Sequence, residues 1–522
     1  MKLALWGLQA AVIWSSLLPA VYAAREGGLR LKVNGKRNPP DLKYSKRGNI
    51  LGSSTLSNSA DISYYANVTL GGVSFSVLID TGSSDLWVAG SVPNAKETGK
   101  NSGVTYAIGA IQGPVQLADL NFTGYVVSDQ AFIQVTPDST NPQGLGLIGL
   151  GPNQGSNVFS TLGSVSGAAV VDRIFRQNTS TPNFLSVLLG RYDDPTDTFP
   201  GDITVGDILQ GYENITSQSK LDVTQVSTFE SGSQHWQTLI DANGVLGPDG
   251  QPITLTTVVA KTSDAYKLTA VFDTGFSLPQ VPEALATAVY GRIPGAQFAN
   301  RSDVGGIWQV PCDKEVNMTF IFAGQKIPIH PLDTTIDLNV TDDSGNKVCL
   351  GAFQPITTAQ DSNYDVILGM AFLRNVYILI DYGDFVDGTS VTANPYIQLL
   401  ATTDPTEAHQ DFVNVRLGGK DDQSWQLLPA SSTGSTPKAA SQFVRKIEYY
   451  WPIIAGVAGF LVLVLIISCL CVRRRKRTNS RPFWRSQKSY RPLQDPAPVG
   501  MHALGGPRPS SSDYRNPWDS RY

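Results

Sequence analysis

The sequence repeats one short pattern, an apolar run that ends in Asp-Thr-Gly with a hydroxyl residue close behind. The first copy is Val77–Ser84 and the second is Ala270–Ser277. The two aspartates, Asp80 and Asp273, lie 193 positions apart, a spacing that fits one lobe for each copy. Two lobes of this kind can each deliver one carboxylate to a shared cleft. Two carboxylates that share one proton can activate water without a metal or a nucleophilic side chain.

The two halves also share a second motif. Gly146–Leu150 follows the first Asp-Thr-Gly run, and Val366–Met370 follows the second. In each motif, two apolar residues and a glycine can pack beside the aspartate loop, because glycine lets the backbone approach closely. Across residues 61–400, short apolar β-like runs alternate with Gly, Pro, Asn and Asp clusters, which predicts a mostly β body. Pro282–Arg292 is the best candidate helix.

Length, charge and histidine content limit the classes of protein. A chain of 522 residues is long enough for two or more domains. Residues 48–472 carry 19 basic and 39 acidic residues. This excess of acidic residues fits a protein that works at low pH, and it fits equally well an excess that serves only solubility. The 4 histidines are too scattered for a zinc site, and no Ser-His or Cys-His catalytic motif stands out. We therefore expect no cofactor, no metal and no nucleic-acid partner.

The N-terminal 47 residues are predicted to be removed. Residues 1–23 have the charged start, apolar stretch and small-residue cleavage site of a signal peptide. Residues 24–47 hold 8 basic and 2 acidic residues and end in the dibasic pair Lys46-Arg47, with Lys36-Arg37 as a second candidate cleavage site. We interpret this segment as a propeptide that docks on the acidic body by charge. An ordinary flexible basic arm is the alternative.

A single membrane span is predicted near the C-terminus. Ile453–Val472 is a run of 20 residues without charge, long enough to cross a bilayer as a helix. Because the basic run Arg473–Arg477 should stay cytoplasmic, a transmembrane helix at 452–472 predicts type I topology with the body lumenal or extracellular. The membrane would be the cell surface or a vacuolar or secretory membrane. Residues 401–450 are predicted to be a stalk, and residues 473–522 a disordered basic cytoplasmic tail.

Sequons and cysteines fit the secretory route. Cys312 and Cys349 are the cysteines outside the membrane region, and a disulfide is the default expectation in an oxidising compartment, with two unpaired thiols as the alternative. Seven Asn-x-Ser/Thr sequons predict glycosylation on a lumenal face. They begin at Asn67, Asn121, Asn178, Asn214, Asn300, Asn317 and Asn339.

Over about residues 61–400 the sequence resembles the pepsin-type aspartic proteases. The resemblance rests on three segments, Asp80–Val88, Asp273–Ser277 and Asp365–Arg374. With the signal peptide, the sequons and the single membrane span, the chain is similar to the membrane-anchored aspartic proteases of fungi.

This resemblance implies a bilobal all-β fold with the active-site cleft between an N-terminal lobe, residues 61–220, and a C-terminal lobe, residues 221–400. It implies an aspartic endopeptidase, made as a zymogen, that hydrolyses peptide or protein substrates at acidic pH. We expect it to act as a monomer. Asp80 and Asp273 would be the catalytic pair, and one of the two would be protonated while the other is ionised.

The resemblance also implies supporting roles around the pair. Thr81 and Thr274 would cross-link the two aspartate loops, and the Ser83 hydroxyl would hydrogen-bond Asp80. The other supporting residues would be Gly82, Gly275 and Ser277.

Two further pairs follow from the resemblance. Tyr106 would be the flap tyrosine that closes over substrate, and Trp87 would be its hydrogen-bond partner. Cys312 and Cys349 match the position of the C-terminal-lobe disulfide of the family.

The sequence departs from the family pattern at several points. Phe276 stands where the family has Ser or Thr and offers no hydroxyl there, while Ala107 and Ile108 replace the usual flap residues. The first-lobe disulfide is absent from the sequence, and the propeptide is short. These departures keep a second hypothesis open, a catalytically inactive fold that binds peptides or partners as a receptor. A single-lobe protease of the retroviral type is excluded, because both Asp-Thr-Gly runs lie in one chain.

Overall fold

The structure is a computed structural model of the 522-residue chain. No helix within the residues it describes is long and apolar enough to span a bilayer. The predicted signal peptide, the membrane span at 452–472 and the cytoplasmic tail lie outside those residues, as do most of the predicted propeptide and the end of the stalk. The structure describes residues 29–32, 34–36, 63–106, 109–177, 182–191, 201–226, 228–301, 305–341, 347–356, 363–386, 393–421 and 424–429.

These residues form a mostly β fold with five sheets, which confirms the predicted class. In the first half of the chain the strands are β1 (Leu29–Lys32), β2 (Asn34–Lys36), β3 (Ser63–Leu70), β4 (Val73–Asp80), β5 (Leu86–Ala89), β6 (Lys96–Thr105), β7 (Ala110–Phe122), β8 (Tyr125–Val135), β9 (Leu145–Gly149), β10 (Phe184–Leu189), β11 (Gly201–Val205) and β12 (Leu221–Asp222). In the second half they are β13 (Gln237–Leu239), β14 (Val245–Leu246), β15 (Thr269–Phe272), β16 (Gln280–Val281), β17 (Gln297–Arg301), β18 (Gly305–Pro311), β19 (Met318–Phe322), β20 (Gln325–Ile329), β21 (Thr335–Thr341), β22 (Lys347–Gly351), β23 (Gln354–Pro355), β24 (Val366–Leu368), β25 (Val376–Asp381) and β26 (Tyr396–Ala401).

The helices are short. The best candidate helix of the sequence, Pro282–Arg292, is confirmed as Glu283–Tyr290, with Leu285 and Val289 buried on its inner face. The α-helices are α1 (Asn157–Leu162), α2 (Val170–Gln177), α3 (Glu283–Tyr290), α4 (Pro331–Thr334), α5 (Met370–Leu373) and α6 (Pro405–Arg416).

Each half of the chain builds its aspartate loop at the end of a buried strand with a parallel neighbour. In the eight-stranded sheet of the first half, β4 pairs with β9 and places Asp80 opposite Gly149. In the five-stranded sheet of the second half, β15 pairs with β24 and places Phe272 opposite Leu368. Strands buried on both faces are apolar without alternation, which is why both motifs appear as continuous apolar runs in the sequence.

A six-stranded sheet joins the two halves, in the order β1, β11, β10, β25, β26, β12. Within it, β10 of the first half pairs antiparallel with β25 of the second. Beside this sheet, the Leu150 carbonyl accepts hydrogen bonds from the indole of Trp236, at 2.9 Å, and from the hydroxyl of Tyr382, at 2.6 Å. The core therefore continues from one half into the other. Strand β1, which lies in the predicted propeptide, takes the edge of this sheet beside β11.

A helix lies within the predicted stalk. The Asp404 side chain caps the start of α6 by accepting from the amides of Thr406 and Glu407, and Pro405 stands at the first helical position. Phe412 and Val413 are buried against the second half. The first part of the segment from residue 401 onward therefore packs on the body.

Charged contacts also fasten α6 and the chain that follows it. The His409 ring contacts Glu315 through Nδ1, at 2.8 Å, and Asp421 through Nε2, at 3.4 Å. Further along, Arg292 donates to the Leu428 carbonyl at 2.9 Å, and the Leu428 amide donates back to the Arg292 carbonyl at 2.8 Å.

We expect His409→Gln to weaken this attachment most at acidic pH. The Glu315 hydrogen bond, aided by Asp421, raises the pKa of His409. A raised pKa in the folded state gives stability that is fully present below the unfolded histidine value, about 6.5, and lost as the pH rises through the folded value. Hydrogen exchange of residues 405–416 at pH 5 and pH 8.5 measures the difference. Equal destabilisation at the two pH values would contradict the assignment.

Candidate active site

Two glycines beside the aspartate loops allow backbone contacts that a side chain would displace. A Cβ at Gly149 would lie 2.5 Å from the Asp85 amide nitrogen, and one at Gly369 would overlap the Phe276 carbonyl oxygen. The Leu150 amide then donates to the Asp80 carbonyl at 2.7 Å, and the Met370 amide to the Phe276 carbonyl at 2.8 Å. The second motif of each half therefore acts as a support for the aspartate loop beside it.

Two threonines cross-link the loops symmetrically. The Thr81 amide donates to the Thr274 hydroxyl oxygen at 3.0 Å, and the Thr274 amide donates to the Thr81 hydroxyl oxygen at 2.9 Å. Each hydroxyl in turn donates at 3.0 Å to a carbonyl of the opposite half, Thr81 to Phe272 and Thr274 to Ile79. Four buried hydrogen bonds thus fix one loop against the other.

This cross-link brings the two carboxylates together. The Gly82 amide donates to Asp80 Oδ1 and the Gly275 amide to Asp273 Oδ1, both at 2.8 Å. A Cβ on Gly82 would overlap the Asp273 carboxylate, and one on Gly275 would overlap that of Asp80. The absence of side chains at the two glycines therefore lets each loop reach the carboxylate of the other.

The electrostatics of the pair follow from its burial. Asp80 is 5% exposed and Asp273 is 2% exposed. Burial raises the pKa of Asp80, because water no longer solvates its anion, while donors from Ser83 and Gly82 oppose that rise. Two carboxylates this close and this buried favour a state with one proton between them.

The surroundings of the two carboxylates differ. The Ser83 hydroxyl donates to Asp80 Oδ2. Phe276, at the corresponding place in the second half, is buried in a small apolar cluster with Val271 and Ile367. The site therefore has a polar environment on the Asp80 side and a hydrocarbon surface at position 276.

Tyr106 and Trp87 contact each other near Asp80 and Asp85. Tyr106 follows β6 in the β6–β7 hairpin, and its hydroxyl accepts from the Trp87 indole at 2.8 Å. Burial, and then the nearby carboxylates of Asp80 and Asp85, raise the pKa of Tyr106 well above its usual value, so its phenol stays neutral. The next two residues, 107 and 108, lie outside the described residues.

We expect Tyr106→Phe to lower kcat/KM for a peptide by about 3- to 10-fold, the effect of losing about 0.5–1.5 kcal/mol of net hydrogen bonding. The variant keeps the ring and removes the acceptor of the Trp87 indole. Steady-state kinetics beside the exposed control Tyr266→Phe measure the effect. An unchanged kcat/KM would show that the contact with Trp87 does not matter to the reaction.

Two structural carboxylates near the site were not predicted from the sequence. Asp85 accepts from the Ser156 hydroxyl at 2.6 Å and from the Val158 amide at 3.0 Å, and it thereby holds the start of α1. Asp365 plays the matching part in the second half, accepting from the Thr257 hydroxyl and the Thr269 amide, both at 2.7 Å. Their positions in the sequence were the signal that could have identified them. Asp85 lies five residues after Asp80, and Asp365 lies directly before Val366–Met370.

The predicted disulfide is confirmed, since Cys312 and Cys349 are bonded with their Cα atoms 4.9 Å apart. Asp337 lies beside the two sulfurs, but sulfurs bonded to each other offer no thiolate to a metal ion. The bond ties the end of β18 to β22 near Arg416 of α6, whose guanidinium donates to the Thr335 carbonyl at 3.0 Å.

The sequons are spread along both halves of the chain. Asn178 lies outside the described residues, and Asn300 and Asn339 lie on strands β17 and β21. Of the sequon asparagines whose side chains the structure describes, Asn67, Asn121, Asn214 and Asn317 are exposed.

Comparison with known proteins places the chain in a family. A model of the eukaryotic aspartyl protease family matches residues 63–95 and 91–386. "Major aspartyl peptidase 1" of Cryptococcus neoformans is 29% identical over 370 residues, covering 64% of this chain and 71% of that protein. An "Aspartic protease" of Phaffia rhodozyma is 26% identical over 367 residues, covering 65% of this chain and 79% of that protein.

A solved structure agrees at the level of the fold. The crystal structure of the aspartic proteinase from Irpex lacteus superposes with a TM-score of 0.50 at 17% identity, covering 72% of this chain and 98% of that one. The chain belongs to the eukaryotic aspartyl protease family. It is an aspartic-type endopeptidase with the mostly β, bilobal, pepsin-like fold.

Proposed function

We propose that this chain is an active, membrane-tethered aspartic endopeptidase that cleaves peptide bonds at acidic pH between Asp80 and Asp273. The observation that carries the proposal is the reciprocal hydrogen bonding of Thr81 and Thr274, at 3.0 and 2.9 Å, which fixes the two buried carboxylates against each other. An arrangement so constrained supports catalysis, because orientation of the reacting groups lowers the barrier.

The reaction uses the single proton of the pair. The ionised carboxylate takes a proton from a water bound between the two, and that water attacks the peptide carbonyl carbon. The protonated carboxyl donates to the developing oxyanion. The C–N bond of the tetrahedral intermediate then breaks: the carboxyl that took the water proton protonates the leaving amine, and the other carboxylate takes a hydroxyl proton back from the intermediate, so that the pair ends with one proton again. Tyr106 would cover the bound substrate from the flap.

Membrane attachment would orient the enzyme toward the lumen or the exterior. The uncharged run Ile453–Val472 and the basic run after it support type I topology. Exposed sequon asparagines on the body, such as Asn67 and Asn317, support glycosylation on that side. The protein would lie in the membrane at the cell surface or in a vacuolar or secretory membrane. We propose that it is a monomer.

Processing at Lys46-Arg47 would convert a zymogen into the mature enzyme. Strand β1, Leu29–Lys32, pairs with β11 at the edge of the six-stranded sheet, and β2, Asn34–Lys36, pairs with β3. These pairings support a propeptide that docks on the body through backbone hydrogen bonds. Cleavage at Lys46-Arg47 would break its covalent link to the body.

Peptide hydrolysis by the full-length protein in detergent, from pH 3 to 7, tests the proposal. Acid-side cleavage that pepstatin blocks, after removal of residues 24–47, is the expected result. Folded, processed protein that cleaves nothing at any of these pH values would contradict it. Protease protection of sealed membranes, read with antibodies to residues 473–522 and to the body, tests the orientation separately.

A second candidate function is a peptide-binding receptor without catalysis. The observation that favours it is the buried phenyl ring of Phe276 in place of a hydroxyl beside the second aspartate. Pepstatin binding without cleavage, together with cleavage restored by Phe276→Thr, would select this alternative and locate its cause.

A further inference from the structure

Two side chains of the second half of the chain hold one peptide group of the first half. The Tyr382 hydroxyl donates to the Leu150 carbonyl at 2.6 Å, and the Trp236 indole donates to the same oxygen at 2.9 Å. Both donors belong to buried residues. Since a carbonyl oxygen has two lone pairs, the two donors together satisfy it.

Packing fixes the ring that presents the Tyr382 hydroxyl. Tyr382 follows directly after β25, and its ring meets Trp236 edge to face, with centroids 4.6 Å apart and planes at 67°. Phe175 of α2 contacts the ring in the same manner, at 5.2 Å and 70°. Aromatic pairs of this geometry are stabilising in themselves. The ring therefore keeps its place without the hydroxyl, and removal of the hydroxyl tests the hydrogen bond alone.

The other end of the same peptide unit contacts the first aspartate loop. The Leu150 carbonyl and the Gly151 amide belong to one trans peptide plane and point in opposite directions. The Gly151 amide donates to the Ser83 carbonyl at 2.7 Å. The Leu150 amide, in the preceding peptide unit, donates to the Asp80 carbonyl at 2.7 Å. Residues 150 and 151 therefore hold the backbone of the Asp80 loop at two points.

Ser83 carries this contact to the carboxylate. Its side chain is fully buried, and its hydroxyl donates to Asp80 Oδ2. A shift of the Ser83 backbone would therefore move the hydroxyl relative to that oxygen. The two donors on the Leu150 oxygen also polarise the peptide unit and strengthen the Gly151 amide as a donor, because hydrogen bonds in series reinforce one another. A continuous path thus joins Tyr382 to Asp80.

Tyr382 itself does not change charge across the acidic range. Burial, and then the nearby carboxylate of Asp172 on α2, raise the pKa of Tyr382 well above its usual value, so the phenol keeps its proton. Asp172 is paired with Arg176 in the next turn of the same helix. The titratable groups at the other end of the path are Asp80, Asp273, Asp85 and Tyr106. A change at Tyr382 therefore affects the pH dependence only through the carboxylates of this second group.

We propose that Tyr382 is a positioning residue for the reaction. Its hydroxyl fixes the peptide unit of residues 150–151, which in turn holds the Ser83 hydroxyl against Asp80. This inference rests on the proposed peptidase activity. It assigns to the second half of the chain a contact that orders the first aspartate loop, in addition to the threonine cross-link between the two loops.

Kinetics of substituted full-length protein in detergent test the inference. Tyr382→Phe keeps the ring and removes the donor, and we expect kcat to fall by about 3- to 10-fold with KM within about 2-fold of the wild type. Tyr377→Phe is the matched control, because it removes another buried hydroxyl of the same region, one that accepts from the Leu209 amide at 2.9 Å and contacts the Ser186 hydroxyl at 2.6 Å. This control should keep the wild-type kcat.

Two further measurements distinguish positioning from a merely structural role. A less ordered Ser83 hydroxyl stabilises the Asp80 anion less, so the acid limb of kcat/KM against pH should move to higher pH by about 0.3–1 unit in Tyr382→Phe. In a Ser83→Ala background, Tyr382→Phe should cause no further loss of kcat, because no hydroxyl is left to position.

The outcomes separate this inference from the proposed function. Wild-type protein that cleaves nothing overturns both. Cleavage by the wild type with an unchanged kcat in Tyr382→Phe overturns the positioning role alone, as does an equal loss in Tyr377→Phe or an undiminished loss in the Ser83→Ala background. If Tyr382→Phe does not fold, Tyr382→Leu takes its place, and the same comparison with the Ser83→Ala background decides.

Discussion

Asp80→Asn and Asp273→Asn should each lower kcat by about 10³-fold or more while leaving the protein folded. The asparagine amide has the shape of the carboxyl group but can neither take a proton from water nor return one to the intermediate. Acid–base catalysis by a positioned side chain contributes about 10²- to 10⁴-fold, and here both halves of the proton transfer depend on one pair. Initial rates with saturating peptide, normalised to folded protein, give the measurement.

Stability provides the internal control for this result. Because burial raises the pKa of Asp80, the folded state is favoured below the unfolded value and loses stability as the pH rises through the folded one. A neutral amide removes that penalty, so Asp80→Asn should unfold at the same or a higher temperature than the wild type at pH 6. Asp337→Asn, which removes a carboxylate paired with Lys347, should keep full activity. Retention of more than a tenth of kcat in either active-site variant would contradict the assignment.

Asp333→Ala should lower the free energy of unfolding by about 3–5 kcal/mol. Asp333 is 1% exposed, accepts from Arg374 Nε at 2.7 Å and from the Asn375 amide at 3.1 Å, and pairs with Arg191. Removal of this carboxylate leaves two buried guanidinium groups without their shared anion, and that loss is the source of the expected effect.

The same cluster predicts how stability responds to acid. Burial alone would raise the pKa of Asp333, but Arg191 and Arg374 outweigh it and hold the pKa well below its usual range. A depressed pKa gives stability that is present above the unfolded value, about 3.9, and lost only as the pH falls through the folded value. The ion pairs should therefore persist across the acidic range in which the enzyme is proposed to work.

Denaturant unfolding at pH 5 measures the effect of Asp333→Ala. Lys96→Ala serves as the control, since Lys96 forms an exposed ion pair with Asp129 and its loss should leave the unfolding free energy unchanged within error. A small effect of Asp333→Ala, equal to that of Lys96→Ala, would show that the two guanidinium groups find other partners or water.

The aspartate loops could be predicted from the sequence because their chemistry is local. Each Asp-Thr-Gly run specifies its own turn, and the duplication of the run links Thr81 to Thr274 across 193 residues. The apolar runs before the motifs are strands buried on both faces, which a single sequence reveals directly. Phe276 was recognised from the same pattern as a missing hydroxyl, and the structure adds the apolar cluster that surrounds it.

Contacts between side chains distant in sequence could not be predicted in the same way. Arg191 and Asp333 are 142 residues apart, and neither residue belongs to a repeated motif that would connect them. Helix α6 did carry the start signal Asp404-Pro405, but the Ser, Thr and Pro content of the segment after it favoured the interpretation as a stalk.

The most direct test of the account is the dependence of kcat/KM on pH between 2 and 8 for the processed full-length protein, with active sites titrated by pepstatin. Two coupled carboxylates that carry one proton predict a bell-shaped profile with its maximum on the acid side of neutrality, abolished by Asp80→Asn and by Asp273→Asn. A profile that rises to a plateau above pH 7, or a bell that survives either substitution, would show that the chemistry does not depend on this pair.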